Sequence, residues 1–353
     1  MTTLARPPMK LELRRRSLRL SRPLVTAHGP LEWREGLELV VSADGRVGRG
    51  EAFPLEAFGT ESLVATEAAL RGLALDLVDS VEAITEQLAP LSSTPAARFG
   101  AECALLEWLA QRRAVPVAAL FGAPRPVVPV NALIEGADAE ALAAAARQAV
   151  SQGFKTLKLK VGARSVAVDA QRLLAVRQAV GPAIALRIDA NGGWSEGVAR
   201  STLRGLESLG LELCEQPVSP ADVEGLRRVA AAVPVPVAAD EVLSDRTRWA
   251  RVLDADPKPA AQVLVLKPAV LGGLLPALEL ARTASARGVP SYVTTLMDGP
   301  IARAAATHLA AVLPPSPYAH GLSTVELFSD VAPDAFTPRS GAIELPASPG
   351  WGV

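Results

Sequence analysis

The stretch TLKLKVGARSVAVDAQRLLAVRQAVGPAIALRIDA, residues 156–190, decides the fold. It opens on a short strand-like run, TLKLKV (156–161), passes through a stretch rich in Ala, Leu and Arg at helical period, and closes on a second run, ALRIDA (185–190). Two strands joined by a helix make a βα unit, the connection that parallel strands require. The same texture extends both ways, with further strand candidates at VPVNAL (128–133), LELCEQ (211–216), VPVAAD (235–240), AQVLVLK (261–267), VPSYVTT (289–295) and YAHGL (318–322). Eight such runs about 27 residues apart predict a closed parallel (β/α)8 barrel in the α/β class. The competing open, doubly wound sheet would show a Gly-rich strand-to-helix fingerprint. VGRG (47–50) and LGG (271–273) are too short to be one.

Ahead of the repeat the pattern differs. LELRRRSLRL (11–20), LELVVSA (37–43) and VGRGEAFP (47–54) alternate as strands do, the last two joined at Asp44-Gly45, and Ala-rich helical stretches follow near 61–77 and 94–113. This organisation predicts an α+β capping domain over residues 1–124, a barrel carrying the active site over 125–322, and a C-terminal segment, 323–353, that packs back on the cap.

Charge and composition exclude several classes. The 353 residues carry 36 Lys+Arg against 37 Asp+Glu, a net charge of −1, which offers nucleic acid no electrostatic footprint. The run Arg14-Arg15-Arg16 reads as one solvated strand face. No segment of about 18 apolar residues is available to span a membrane. The start, MTTLARPPMK, lacks a signal-peptide core, and with only Cys103 and Cys214 the expected home is reducing and cytoplasmic. The chain uses six Lys against thirty Arg. Each remaining Lys therefore invites a chemical reason, because of the two side chains only Lys readily gives up its proton.

In a barrel of this kind the active site gathers at the C-terminal strand ends. Strand two ends on Lys158 and Lys160, strand three on Asp189, strand four on Glu215, strand five on Asp240 and strand six on Lys267. A single strand-end charge is usually a cap or a solvated rim residue, but five successive ends deliver one here. Side chains two apart share a face, so Lys158 and Lys160 point inward while Leu157 and Leu159 pack outward. By the same parity Cys214 belongs to the outer core, and Arg187 joins Asp189 inside. Three converging carboxylates repel unless neutralised, and a hard divalent cation, Mg²⁺ with Mn²⁺ as a substitute, is the natural partner. Zn²⁺ is disfavoured, since His28, His308 and His320 are scattered. Lysines beside such a cation would have depressed pKa values and could act as general bases in proton abstraction next to a carboxylate.

KLKVG (158–162), RIDANGGW (187–194), CEQPV (214–218), AADE (238–241) and VLKPAVLGG (265–273), in this order and spacing, resemble the muconate-lactonising subgroup of the enolase superfamily. REGLELVV (34–41), GEAFPLEAFGTES (50–62), TTLMDGPIAR (294–303) and AHGLSTVELFSD (319–330) resemble its o-succinylbenzoate synthase family. That resemblance implies a small carboxylate substrate, dehydrated from 2-succinyl-6-hydroxy-2,4-cyclohexadiene-1-carboxylate to 2-succinylbenzoate in menaquinone biosynthesis. It implies that Asp189, Glu215 and Asp240 hold Mg²⁺, that Lys160 takes the α-proton and returns it to the departing hydroxide, and that Lys267 faces it across the ring. Lys158 would lower the Lys160 pKa and touch the carboxylate, with Asn191 supporting the metal and Arg187 near the site. Thr295, Gly299 and Gly321 would meet the succinyl tail. His320 would stand at the mouth or pack as a rim residue.

The same lysines and cation serve racemases of N-succinylamino acids and dipeptide epimerases. A dipeptide epimerase is expected to carry a DxD pair at the eighth strand end, and YAHGLST (318–324) has none. A catalytically idle barrel would have to retain six polar site positions without use.

Overall fold

The computed structural model describes residues 8–26, 29–254 and 258–353. Seven strands, β5 (Ala132–Leu133), β6 (Thr156–Lys160), β7 (Ala185–Asp189), β8 (Leu211–Glu215), β9 (Val237–Ala239), β10 (Val263–Leu266) and β11 (Ser291–Val293), pair in sequence order, all parallel. Helices α4 (Ala139–Ser151), α5 (Val166–Val180), α6 (Glu196–Gly205), α7 (Val223–Ala232), α8 (Trp249–Leu253), α9 (Pro268–Leu271), α10 (Leu274–Ser285) and α11 (Pro300–Val312) occupy the connections. Ser165, Ser195, Asp138 and Asp222 cap their helices through side-chain oxygens, which sets where each crossover turns back.

The barrel closes through a minimal eighth strand. His320 bridges Val130 on one side and Gly321 bridges Thr294 on the other, with His320 N–H donating to the Pro129 carbonyl and Gly321 N–H to that of Val293. Pro314, Pro315 and Pro317, which have no N–H for a ladder, immediately precede the Tyr318–Leu322 segment. The expected first strand, 128–133, is divided. Only Ala132 and Leu133 join β6, whereas β4 (Val127–Pro129) pairs antiparallel with β12 (Ala342–Glu344) from the tail.

Alternation sorts the side chains. Leu157, Leu159, Ile188 and Cys214 face the helices in the main core. Leu213, Ala238, Val263, Val265 and Tyr292 fill the barrel interior as a separate apolar cluster below the mouth.

The N-terminal unit is a meander of β1 (Lys10–Thr26), β2 (Gly29–Ala43) and β3 (Arg46–Ala52), with α1 (Leu63–Arg71), α2 (Val81–Gln87) and α3 (Pro95–Arg113). The VGRG glycines have a packing role: a Cβ at Gly48 would lie 2.1 Å from the Ala104 carbonyl oxygen and one at Gly50 would lie 2.0 Å from that of Gly100. Only a strand without Cβ atoms there lets β3 lie against α3. The LGG pair is likewise structural. A Cβ at Gly273 would meet the buried Glu102 carboxylate at 2.4 Å, and Glu102 accepts from Leu275 N–H while paired with Arg98. The tail reaches this unit through Trp351, which donates to the Arg49 carbonyl at 3.0 Å. Among the described residues, no helix is long and apolar enough to cross a membrane.

Candidate active site

One cavity at the C-terminal ends of the strands is lined by Lys158, Lys160, Asp189, Asn191 and Lys267, together with Asn131, Tyr292, Thr294, Thr295, Gly321 and Thr324. Phe58, from the turn after β3, covers it from the cap, its ring 5.7 Å from Lys267 Nζ. The β-period brings the charges here: Lys160 pairs in register with Asp189, and Asp189 with Glu215.

The carboxylates are buried and each is tied to an ammonium. Lys158 Nζ donates to Glu215 Oε1 at 2.7 Å and Oε2 at 2.8 Å and lies 2.9 Å from Asp189 Oδ2. Lys267 Nζ lies 2.5 Å from Asp240 Oδ2. Among the described residues, no three His, Cys, Asp or Glu side chains already converge into a metal cradle, because Lys158 stands between Asp189 and Glu215. The donor set itself, three buried carboxylates from adjacent strand ends, is all-oxygen and anionic, which suits a hard divalent cation.

Carboxylates set the electrostatics of two lysines. Burial by itself would depress the Lys158 and Lys267 pKa values, but Asp189, Glu215 and Asp240 raise that of Lys158, and Asp240, Glu241 and Glu215 raise that of Lys267. The nearest charges to both ammonium groups are carboxylates, which favour the protonated form. Burial likewise pushes Asp189 and Asp240 up, each reinforced by a neighbouring carboxylate. Glu215 moves down: burial opposes its ionisation, yet Lys158 and Lys267 together outweigh that.

Lys160 is the exposed member, and its Nζ donates to Asn191 Oδ1 at 3.1 Å. Asn191 adopts a left-handed φ of 43°, donates its backbone N–H to Asp189 and its Nδ2 to Glu241 Oε1 at 2.8 Å, and so touches three strand ends. Thr295 and Gly321 line the cavity, and a Cβ at Gly321 would lie 2.6 Å from Thr294 Oγ1. Gly299 lies outside the cavity lining, at the N-terminus of α11, and a Cβ there would meet the Glu51 carboxylate of β3 at 2.6 Å.

Arg187 lies in the barrel interior beneath the cavity, fully buried, paired with Glu212 and donating to the Ala319 carbonyl at 2.7 Å. His320 is a packed residue: its Nδ1 accepts from Val293 N–H at 3.0 Å and burial lowers its pKa to about 3. His308 lies elsewhere, against Trp351, and His28 is outside the described residues. Tyr292 and Asn131 line the cavity without being charged strand-end residues. Tyr292 is legible from parity, since it precedes inward Thr294 by two residues, whereas Asn131 lies between β4 and β5, outside regular strand.

Residues 141–353 match the family described as Enolase C-terminal domain-like, and residues 9–108 match the MenC N-terminal domain. The chain belongs to the enolase superfamily. It is 41% identical to the o-succinylbenzoate synthase of Thermobifida fusca over 259 residues, covering 71% of this chain and 77% of that one. It is 30% identical to the L-Ala-D/L-Glu epimerase of Bacillus subtilis over 98% of this chain and 96% of the relative. A substrate-liganded structure of that epimerase superposes with a TM-score of 0.89 at 29% identity, over 98% of both chains. A dipeptide epimerase from Cytophaga hutchinsonii, solved with Mg and D-Ala-L-Val, gives 0.85 at 25% identity, over 99% of this chain and 95% of that one. Members of this superfamily are enzymes, and these relatives act on or bind small molecules.

Proposed function

We propose that the protein is a Mg²⁺-dependent o-succinylbenzoate synthase, a carbon–oxygen lyase. It would dehydrate 2-succinyl-6-hydroxy-2,4-cyclohexadiene-1-carboxylate to 2-succinylbenzoate in menaquinone biosynthesis. The observation that carries the chemistry is the pair Lys160 and Lys267. They line one cavity from the second and sixth strands of an eight-strand barrel, four strands apart, and therefore face each other across the mouth. A planar intermediate between them has an amine or ammonium on each face. The MenC-type N-terminal segment and the 41% identity to a synthase support this substrate over the alternatives.

Asp189, Glu215 and Asp240 would hold the cation once Lys158 swings off Glu215. Bound Mg²⁺ would stabilise the negative charge that develops on the substrate carboxylate when the α-proton leaves. Lys160, as the neutral amine, removes that proton, and the resulting ammonium then protonates the departing hydroxide on the same face, so one residue serves both halves of a syn elimination. Lys267 stays protonated beside Asp240 and offers its charge to the opposite ring face. Lys158, released from Glu215, reaches the substrate carboxylate. Thr295 and Gly321 stand where the succinyl tail would lie, among the hydroxyls of Thr294 and Thr324.

The second reading is racemisation of N-succinylamino acids or epimerisation of dipeptides, favoured by the full-length similarity to the B. subtilis epimerase. It needs both lysines to exchange protons, whereas elimination needs one. Purified protein with Mg²⁺ and the cyclohexadiene carboxylate should form the aromatic product. Absence of that product alongside racemisation of N-succinyl-phenylalanine would replace the first reading with the second.

A further inference from the structure

The chain has two tyrosines, and both lie against one buried guanidinium beneath the site. Arg187 lies 4.6 Å from the Tyr292 ring centroid and 5.5 Å from that of Tyr318, and the two rings are 6.3 Å apart. Arg187 is held from below by Glu212 and the Ala319 carbonyl, so the stack is anchored to the barrel floor. Tyr292 is 1% exposed, and its hydroxyl donates to Glu215 Oε2 at 2.6 Å.

We infer that Tyr292, seated by Arg187, is a positioning residue that orients the Glu215 carboxylate for the divalent cation. This rests on the metal role proposed for Glu215. Lys158 and Tyr292, which both donate to Glu215, differ in kind. Lys158 is a flexible stem that must move for a cation to approach, whereas the phenol is rigid and wedged against a fixed guanidinium. When Lys158 leaves, Tyr292 remains and keeps Oε2 engaged, limiting the orientations the carboxylate can take. Outer donors of this type commonly change metal affinity by about 10- to 100-fold.

The experiment compares Mg²⁺ binding by calorimetry in the parent, Tyr292→Phe and Tyr318→Phe. Phe keeps the ring and its stack, and the thermal midpoint without Mg²⁺ reports that the fold is retained. The expected result is about ten-fold weaker Mg²⁺ binding in Tyr292→Phe, unchanged binding in Tyr318→Phe, and turnover of Tyr292→Phe restored towards the parent at high Mg²⁺. Parent-like affinity in Tyr292→Phe, equal losses in both variants, or a thermal loss that Mg²⁺ does not reverse would each overturn the inference. A parent protein that binds no Mg²⁺ would instead overturn the metal reading on which it rests.

Discussion

Lys158 Nζ grips both oxygens of Glu215, at 2.7 and 2.8 Å, and reaches Asp189 at 2.9 Å with the same ammonium. One lysine thus neutralises two carboxylates that are almost completely buried. Removing one partner of such a network costs about 3–5 kcal/mol, because the charges left behind have neither water nor a counter-ion.

Lys158→Ala should therefore lose stability by about that amount without a divalent cation and recover much of it when Mg²⁺ is added. Thermal denaturation with and without Mg²⁺ tests this. A variant as stable as its parent and indifferent to Mg²⁺ would show that the carboxylates do not depend on Lys158.

Lys160 differs in being exposed, with Asn191 as its hydrogen-bond partner. Lys160→Ala should change stability by no more than about 0.5 kcal/mol and lower turnover by at least about 100-fold. Near-parental dehydration by this variant in a product-formation assay would remove Lys160 from the role of base.

Glu51 joins β3 to the barrel by accepting from Ala302 N–H at 3.0 Å, and burial pushes its carboxyl up from 4.5 to about 7. Its native pKa lies above its unfolded one, so its stabilising contribution is complete below about pH 4.5 and is lost as pH rises through about 7. The loss amounts to roughly 3 kcal/mol. Glu51→Gln should flatten the stability profile between pH 4.5 and 7, which denaturant titrations across that range would reveal; an unchanged slope would contradict it.

Trp351 is fully buried, with its indole on the Arg49 carbonyl, its own carbonyl on His308 Nε2 at 3.0 Å, and its ring 5.3 Å from the imidazole. Trp351→Ala should cost about 3–5 kcal/mol and leave Mg²⁺ affinity intact, as the contact lies away from the cavity. Chemical denaturation and calorimetry separate the two effects, and a stability loss under 1 kcal/mol, roughly a surface-site value, would show that the tail is dispensable.

What the sequence by itself determined is what periodicity controls. Strands alternate with period two and βα units recur at near-constant length, so the barrel and the inward direction of Lys158, Lys160, Asp189, Glu215 and Lys267 follow from spacing alone. The near absence of lysine elsewhere in the barrel already marked those positions. The tertiary structure decided everything that depends on distance between segments remote in sequence. Strand eight is held by two bridges, a Cβ at Gly299 would meet Glu51 of the N-terminal unit, and Lys158 lies against Asp189 and Glu215, which raise its pKa. The Arg187 stack beneath Glu215 belongs to the same class. Parity tells which side of a strand a residue occupies, whereas hydrogen bonding, burial and the sign of a pKa shift depend on which side chains from other strands come within a few ångströms.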